Sequence, residues 1–309
     1  MAPPLSPAEA RVVDAVLTNH SRGYVHPERV AHHLFPAVTV NQRGGRRIEF
    51  NKDSFKLYNT VRAAGGKRQE VEFGFLGQKF ALEQHDLVGK LPVEVQEEAA
   101  RGPGIDLGRS TVESVQDIIS LSKEVQSATL ARDAAKYAAS NKVTLAGSDQ
   151  WTHADSDPKT VVKEGKEAIR AKIGRYPNTM VLGPLAFSAL DDHPKLMEKI
   201  KYTSSDSITL AMIAKYFDVQ KVVRGDAVYA DDEDEFVDVW GNDVVLAYVP
   251  MGTRINEPSY GYTYQLAGHP FVGKAWYDDD FKSWKYPVTD EFSPELVGAE
   301  AGYLIKDAV

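Results

Sequence analysis

Apolar and polar residues follow different periods along the chain, and the first clear pattern is an alternation between residues 46 and 83. Ile48 and Phe50 alternate with polar residues before a glycine-containing turn at 63–68, and the alternation resumes at 71–75. Two such runs around a turn predict a long two-stranded β-hairpin. Because an isolated hairpin is only marginally stable in water, a hairpin of this length indicates docking on a partner.

The period then changes to steps of three and four residues, which predicts a long helix over residues 110–137. Its apolar positions are Val115, Ile118, Leu121, Val125 and Ala128. Such steps place side chains on one face of an α-helix. About 28 residues at about 1.5 Å each would give a rod of roughly 40 Å, which is long for a domain of this size.

Short helices and strands alternate from residue 145 onward, and local signals mark several of their ends. Asp157 with Pro158 is typical of a helix start and Gly174 of its end, while Thr209 begins a further helix. Strands are predicted at 179–182, 219–223, 237–240, 244–249, 260–266, 271–277 and 296–305. Helices and strands mixed in this way indicate an α/β segment, and the chain becomes β-rich after Pro250.

Charge is unevenly distributed, and this changes the interpretation of the hairpin. The 309-residue chain has a formal net charge of −8, yet the stretch from Arg43 to Lys79 carries +5, which leaves −13 elsewhere. An acidic chain is not typical of a general nucleic-acid binder. The sequence contains no cysteine, which excludes disulfides and thiolate chemistry.

Three interpretations of the basic hairpin are open: a solvated loop, a nucleic-acid contact, or an arm that docks on an acidic neighbour. We favour docking, because an identical copy would supply the acidic surface and charge complementarity guides assembly. The acidic run at 231–235 is either a solvated loop or a contact for a basic partner. The candidate intersubunit contact residues are Arg46, Arg47, Lys52, Lys56, Arg62, Lys67, Arg68, Phe73, Phe75, Asp231, Asp232, Glu233, Asp234 and Glu235.

No sequence pattern predicts a catalytic, metal or cofactor site. His26, His32 and His33 lack a carboxylate at helical ligand spacing and are interpreted as surface residues. The acidic run lacks the alternating ligands and the glycine of a calcium loop. Glycines within 102–108 do not follow a strand, and Ser259 lacks the setting of a hydrolase nucleophile. We therefore predict a structural protein rather than an enzyme, without catalytic residues, metal or cofactor.

Several motifs in the second half of the chain resemble a known family when they are taken in order. They are Gly147-Ser-Asp-Gln-Trp-Thr152 with Ser156-Asp-Pro158, Pro177-Asn-Thr-Met-Val-Leu-Gly-Pro184 with His193-Pro194 and Ile200-Lys-Tyr-Thr203, Val239-Trp-Gly-Asn-Asp-Val-Val-Leu-Ala-Tyr-Val-Pro250, and Pro258-Ser-Tyr-Gly-Tyr-Thr263. This series resembles the major capsid proteins of tailed bacteriophages, whose HK97-like fold is shared by encapsulin shells. The similarity is dense over 145–309 and rests on the order of elements before that.

The resemblance implies an α+β, HK97-like capsid fold and a division of the chain. The expected parts are an N-terminal arm at 1–45, an extended β-hairpin loop at 46–83, a peripheral domain at 84–144 and 259–309, and a mixed α/β axial domain at 145–258. The helix at 110–137 would be the spine of the peripheral domain. The expected function is a major capsid protein whose hexamers and pentamers form an icosahedral head around double-stranded DNA.

The same resemblance implies partners and a location. Besides copies of itself, we expect a portal, packaged double-stranded DNA bound without sequence preference, and a separate scaffolding protein, since there is no room here for a fused one. A decoration protein is left open, and no membrane is expected. Some relatives weld lysine to asparagine, but residues 259–309 contain no asparagine, so such welding is not expected. The expected location is the virion, after assembly in the cytoplasm of the host bacterium.

Two other functions are open at this point. An encapsulin-like cargo shell would share the architecture but serve a cellular compartment. A soluble α/β enzyme with an unrecognised site belongs to a different class of protein. Reversing the charge of the hairpin would separate these classes, because it should prevent assembly of a shell but leave an enzyme monomer folded and active.

Overall fold

A computed structural model of the chain describes residues 28–46, 77–100, 106–200, 208–252 and 257–309, together with 17, 18, 21, 26 and 61. Most of the predicted hairpin lies outside these residues. The described α-helices are α1 (Val93–Ala100), α2 (Leu107–Arg132), α3 (Pro158–Ile173), α4 (Pro184–Asp191), α5 (Pro194–Ile200) and α6 (Leu210–Phe217). None of the described helices is long and apolar enough to cross a membrane.

Fifteen strands are found among the described residues, and together with the helices they agree with the α+β class. They are β1 (Ala37–Val40), β2 (Gly44–Arg46), β3 (Lys79–Ala81), β4 (Glu83–Pro92), β5 (Lys142–Thr144), β6 (Thr179–Leu182), β7 (Lys221–Arg224), β8 (Val228–Ala230), β9 (Phe236–Asp238), β10 (Val244–Ala247), β11 (Gly261–Leu266), β12 (Phe271–Val272), β13 (Trp276–Asp278), β14 (Ser283–Leu296) and β15 (Gly302–Lys306).

A six-stranded sheet is built around β14, a strand of 14 residues. Strand β4 pairs with it antiparallel over ten residues, from Ser283 opposite Pro92 to Phe292 opposite Glu83. Strands β11, β12 and β13 also pair with β14, and β1 adds to β11 in parallel. The predicted strand at 296–305 was therefore wrong: β14 ends at Leu296 and a separate strand begins at Gly302.

A second sheet has five strands in the order β5-β15-β10-β6-β7. All four residues of β6 and of β10 are buried, which explains why both strands appear in the sequence as continuous apolar runs. Strand β15 pairs with β10 and β5, so residues 302–306 share a sheet with residues of the 145–258 segment. The division into peripheral and axial domains stays a prediction.

Helix α2 packs along β4 and β14, but its bounds and its buried face differ from the prediction. The helix begins at Leu107 and ends at Arg132, because Asp133 has an extended backbone and its carboxylate accepts the N–H of Ala135 at 2.9 Å. Ile118, expected in the seam, is 57% exposed. The buried apolar residues of the helix are Val112, Val115, Ile119, Ala128 and Ala131.

Close contact between α2 and the sheet depends on a glycine in β4. A Cβ atom at Gly89 would lie 2.4 Å from Cγ2 of Thr111 and 3.0 Å from Cγ2 of Val115. Both of those side chains belong to α2. A larger residue at this position would therefore push the helix away from the sheet.

Helix ends that depend on local chemistry agree with the prediction. Asp157 accepts the backbone N–H of Thr160 at the start of α3, and Gly174 ends this helix in the left-handed conformation with φ 68°. Thr209 accepts the backbone N–H of Met212 at the start of α6. These side chains satisfy amide groups that have no partner within the first turn of a helix.

Candidate intersubunit surface

The start and the end of the predicted hairpin lie side by side. Strands β2 and β3 pair antiparallel, with Gly44 opposite Ala81 and Arg46 opposite Lys79. The two strands that flank residues 47–78 are thus adjacent. Phe80 stacks on Tyr264 of β11 with ring centroids 4.3 Å apart, which attaches this base to the six-stranded sheet.

An ion pair also fixes the base of the hairpin to β14. Nε of Arg43 donates to Oε2 of Glu291 at 2.7 Å and Nη2 donates to Oε1 at 2.8 Å. The Glu291 side chain is buried in the sheet, and this two-point contact raises the pKa of the Arg43 guanidinium. Bidentate pairs of this kind fix orientation as well as distance.

Few of the predicted hairpin contacts can be located. Arg46 is exposed at the end of β2. The other hairpin candidates, Arg47, Lys52, Lys56, Arg62, Lys67, Arg68, Phe73 and Phe75, lie outside the described residues. Their role stays a prediction.

The acidic run forms the turn that joins β8 to β9. The Asp231 carboxylate accepts the N–H groups of Glu233 at 2.9 Å and Glu235 at 3.0 Å, and Asp234 has φ 60°. Asp232, Glu233, Asp234 and Glu235 are exposed, and neighbouring Phe236 is 80% exposed. We call residues 231–235 the acidic tip. The hydrogen-bonded turn around Asp231 leaves the carboxylates of residues 232–235 exposed on the surface.

A buried carboxylate that the sequence did not single out joins three parts of the molecule. Glu124 of α2 is 2% exposed and accepts the N–H groups of Val30 and Ala31, each within 3.1 Å, and Nε1–H of Trp240 at 2.7 Å. Burial raises the pKa of this carboxyl, against the effect of the three donors. Glu124 therefore anchors the N-terminal segment and the strand region around Trp240 to α2.

Two tyrosines form a second buried junction that sequence analysis missed. The hydroxyl groups of Tyr137 and Tyr260 are 2.5 Å apart, and the Tyr137 hydroxyl donates to the carbonyl of Ala131 at 2.7 Å. The Tyr260 hydroxyl is therefore the donor between the two rings. This pair joins the segment after α2 to the segment before β11.

Replacing Tyr260 by phenylalanine should lower the free energy of unfolding by about 1 kcal/mol, because one buried hydrogen bond is lost while the ring keeps its packing. Chemical denaturation of the unassembled chain measures the change. Tyr303→Phe is the matched control, since Tyr303 lies in the same core and its hydroxyl makes no hydrogen bond with a described residue. An equal loss in both variants would contradict the role of the tyrosine pair.

The predicted surface histidines form a contact with β7. The rings of His32 and His33 have centroids 3.8 Å apart, and Nδ1 of His33 lies 2.9 Å from Nζ of Lys221. Burial, followed by the charges of His32 and Lys221, lowers the pKa of His33 to about 4. The neutral imidazole accepts the lysine proton, and a protonated one would be repelled.

Stability of the folded chain should therefore fall as the pH falls from about 6.5 towards 4. In this window the unfolded chain binds a proton at His33 while the folded chain does not. His33→Gln should show a smaller difference between denaturation midpoints at pH 7 and pH 4.5. An unchanged difference would contradict the assignment. Some acid sensitivity should remain, because burial also lowers the pKa of His85.

Among the described residues, no three His, Asp or Glu side chains are arranged to hold a metal ion. The structure instead presents an exposed acidic tip, a pair of strands, β2 and β3, fixed to β14 by Arg43, and a long helix on a sheet. A solved chain from the mature capsid of bacteriophage PhiM1 has the same fold, with a TM-score of 0.53 and 12% identity over 92% of this chain and 88% of that one. The fold is thus the HK97-like capsid fold.

Sequence comparisons identify the family. The model of the phage major capsid protein E family matches residues 134–288. The major capsid protein of Burkholderia phage BcepMu is 40% identical over 304 residues, covering 96% of this chain and 97% of the relative. A crystal structure of a phage-related protein from Bordetella bronchiseptica RB50 has a TM-score of 0.83 and 44% identity, covering 96% and 98% of the two chains. The chain belongs to the phage major capsid protein E family.

This membership confirms the predicted class. The protein is a structural subunit of a phage shell, located in the virion, and it is not an enzyme. The shell implies assembly with further copies of the chain. The encapsulin-like cargo shell and the soluble enzyme are thereby disfavoured.

Proposed function

We propose that the chain forms hexamers and pentamers that close an icosahedral head around double-stranded DNA. The observation that carries this proposal is the pair of strands β2 and β3 at the base of the predicted hairpin. These strands, which flank residues 47–78, are paired with each other, and the ion pair of Arg43 with the buried Glu291 fixes them to β14. A segment held in this way can reach a neighbouring subunit without loosening the fold that carries it.

The distribution of charge supports a contact between the basic hairpin and a neighbouring subunit. The stretch from Arg43 to Lys79 carries +5 on a chain that is otherwise at −13, so each copy offers acidic surface to the basic loop of the next. Contacts of this kind steer association and set register. In this arrangement 84–144 and 259–309 form a peripheral domain and 145–258 an axial domain around the vertices, with 1–45 as an arm.

Further partners follow from the proposed role. They are a scaffolding protein during assembly, a portal at one vertex, and DNA bound without sequence preference, while a decoration protein stays open. Assembly would take place in the cytoplasm of the host bacterium. The overall negative charge supports weak contact with packaged DNA, because like charges repel the phosphate backbone.

Cryo-electron microscopy of particles formed by the purified chain tests the proposal. We expect closed particles in which rings of five and of six subunits both occur, with the segment 46–83 of each subunit in contact with a neighbour. Particles with rings of a single size, or with 46–83 folded back on its own subunit, would contradict the proposal.

A further inference from the structure

Lysine side chains crowd around one aromatic ring on the surface of the mixed α/β region. Nζ of Lys159 lies 5.2 Å from the centroid of the Tyr216 ring, and Nζ of Lys199 lies 5.4 Å from it. Lys163, one turn along α3 from Lys159, is also exposed. We call these three residues the lysine cluster. Helices α3, α5 and α6 meet there, which fixes the positions of all three backbones.

Among the described residues, no ion pair involves a lysine of this cluster, although the charges of Asp157 and Glu167 act on Lys159 and Lys163. The lysines that form ion pairs among the described residues are others, such as Lys123, Lys166 and Lys285. The carboxylate of Asp157 is nearby, but it accepts hydrogen bonds from Thr160 as the cap of α3. Repulsion from Lys199 lowers the pKa of Lys159. Like charges held together cost free energy, which an anionic partner would offset.

The acidic tip has the complementary charge and is equally unpaired among the described residues. Its four outer carboxylates are exposed, and the ordered turn presents them as a unit. Helix α6, which carries Tyr216, leads into the amino end of β7, whereas the β8–β9 hairpin follows the carboxyl end of that strand. Within the described part of the chain, no ion pair joins the tip to the cluster of the same subunit, which leaves a second copy as the partner of each.

We propose that the acidic tip of one copy binds the lysine cluster of the next copy around a ring of subunits. The inference rests on the proposed function, since it requires a ring. Two different patches of the same chain meet, and contacts of this head-to-tail type generate closed rings. Phe236, which directly follows the tip, is 80% exposed and supplies an apolar part of the contact.

Introduced thiols test the contact directly, because the chain has no cysteine of its own. Particles of the double variant Lys199→Cys with Glu233→Cys are oxidised and separated on a denaturing gel without reductant. We expect a ladder of covalent multimers that reaches rings of five and six. A contact between different patches requires both thiols in one chain, so each single variant should give no ladder. The pair Lys136→Cys with Glu233→Cys is the matched control and should give none.

Charge exchange provides an independent test. Lys159→Glu with Lys199→Glu should reduce the yield of particles about tenfold, a factor equivalent to about 1.4 kcal/mol. Adding Asp232→Lys and Glu233→Lys should restore most of the yield. Lys136→Glu with Lys172→Glu makes the same change of net charge outside the cluster and should have little effect.

The outcomes separate this inference from the proposed function. Particles that form without a covalent ladder would overturn the contact and leave the shell intact. An unreduced yield in the cluster variant, or no recovery after the exchange, would do the same. A wild-type chain that forms no particle under any condition would contradict the shell itself.

Discussion

Replacing Glu124 by alanine is expected to lower the free energy of unfolding by about 3 to 5 kcal/mol, the range for breaking a buried charged network. The side chain is the acceptor for Val30, Ala31 and Trp240, and its removal leaves three N–H donors without their partner. Denaturant unfolding of the unassembled chain measures the change. A loss below about 1 kcal/mol, typical of an exposed substitution, would contradict the anchoring role.

Glu124→Gln is the matched variant, because its Oε1 can still accept the same three hydrogen bonds. We expect a smaller loss than for alanine. Burial raises the pKa of Glu124, so the folded chain holds this proton more strongly than the unfolded chain. The stabilising contribution is present below the unfolded pKa and is lost as the pH rises through the folded pKa. Glutamine should remove this pH dependence.

Reversal of charge in the hairpin should abolish particle formation. The variant carries glutamate at Lys52, Lys56, Lys67 and Arg68, which changes the stretch from Arg43 to Lys79 from +5 to −3. Attraction to acidic neighbours then becomes repulsion. Sedimentation should show unassembled chain, and circular dichroism should show unchanged secondary structure, since the base at β2 and β3 is intact.

The control variant makes the same change of net charge elsewhere. Glutamate is placed at Lys136, Lys172, Lys215 and Lys274. Particles should still form in good yield. If the hairpin variant assembled as well as the wild-type chain, the hairpin would not be the segment that docks on the neighbouring subunit.

Local chemistry made several helix ends predictable from the sequence. The caps at Asp157, Thr209 and Gly174 need only a few neighbouring residues, and all three were confirmed. The long helix was also predicted, and Val115 and Ala128 are buried as expected, but Ile119 takes the buried position that was assigned to Ile118. A narrow seam in the sequence does not distinguish adjacent isoleucines, because contact with β4 and β14 decides which one is buried.

Strand β14 was missed because its sequence does not resemble a buried strand. Pro287 and Pro294 interrupt it, and polar residues from Thr289 to Glu291 are buried within it. Proline is usually excluded from a central strand. The polar side chains are satisfied from distant parts of the chain: Lys123 and Gln265 contact Asp290, and Arg43 contacts Glu291. No local pattern contains those partners.

The buried anchors were unpredictable for the same physical reason. Glu124 appears in the sequence as one more polar residue of a helix, and its partners are about a hundred residues away. Tyr137 and Tyr260 are 123 positions apart. By contrast, the charge of the acidic tip was visible at once, because the tip is a contiguous run in the sequence.

Electron microscopy and sedimentation of the purified chain over a range of concentration and ionic strength show whether the protein assembles into a shell. We expect closed shells and their ring-shaped subassemblies, with assembly that slows as salt screens the charged contacts. A compact monomer at every concentration and every ionic strength would contradict this expectation.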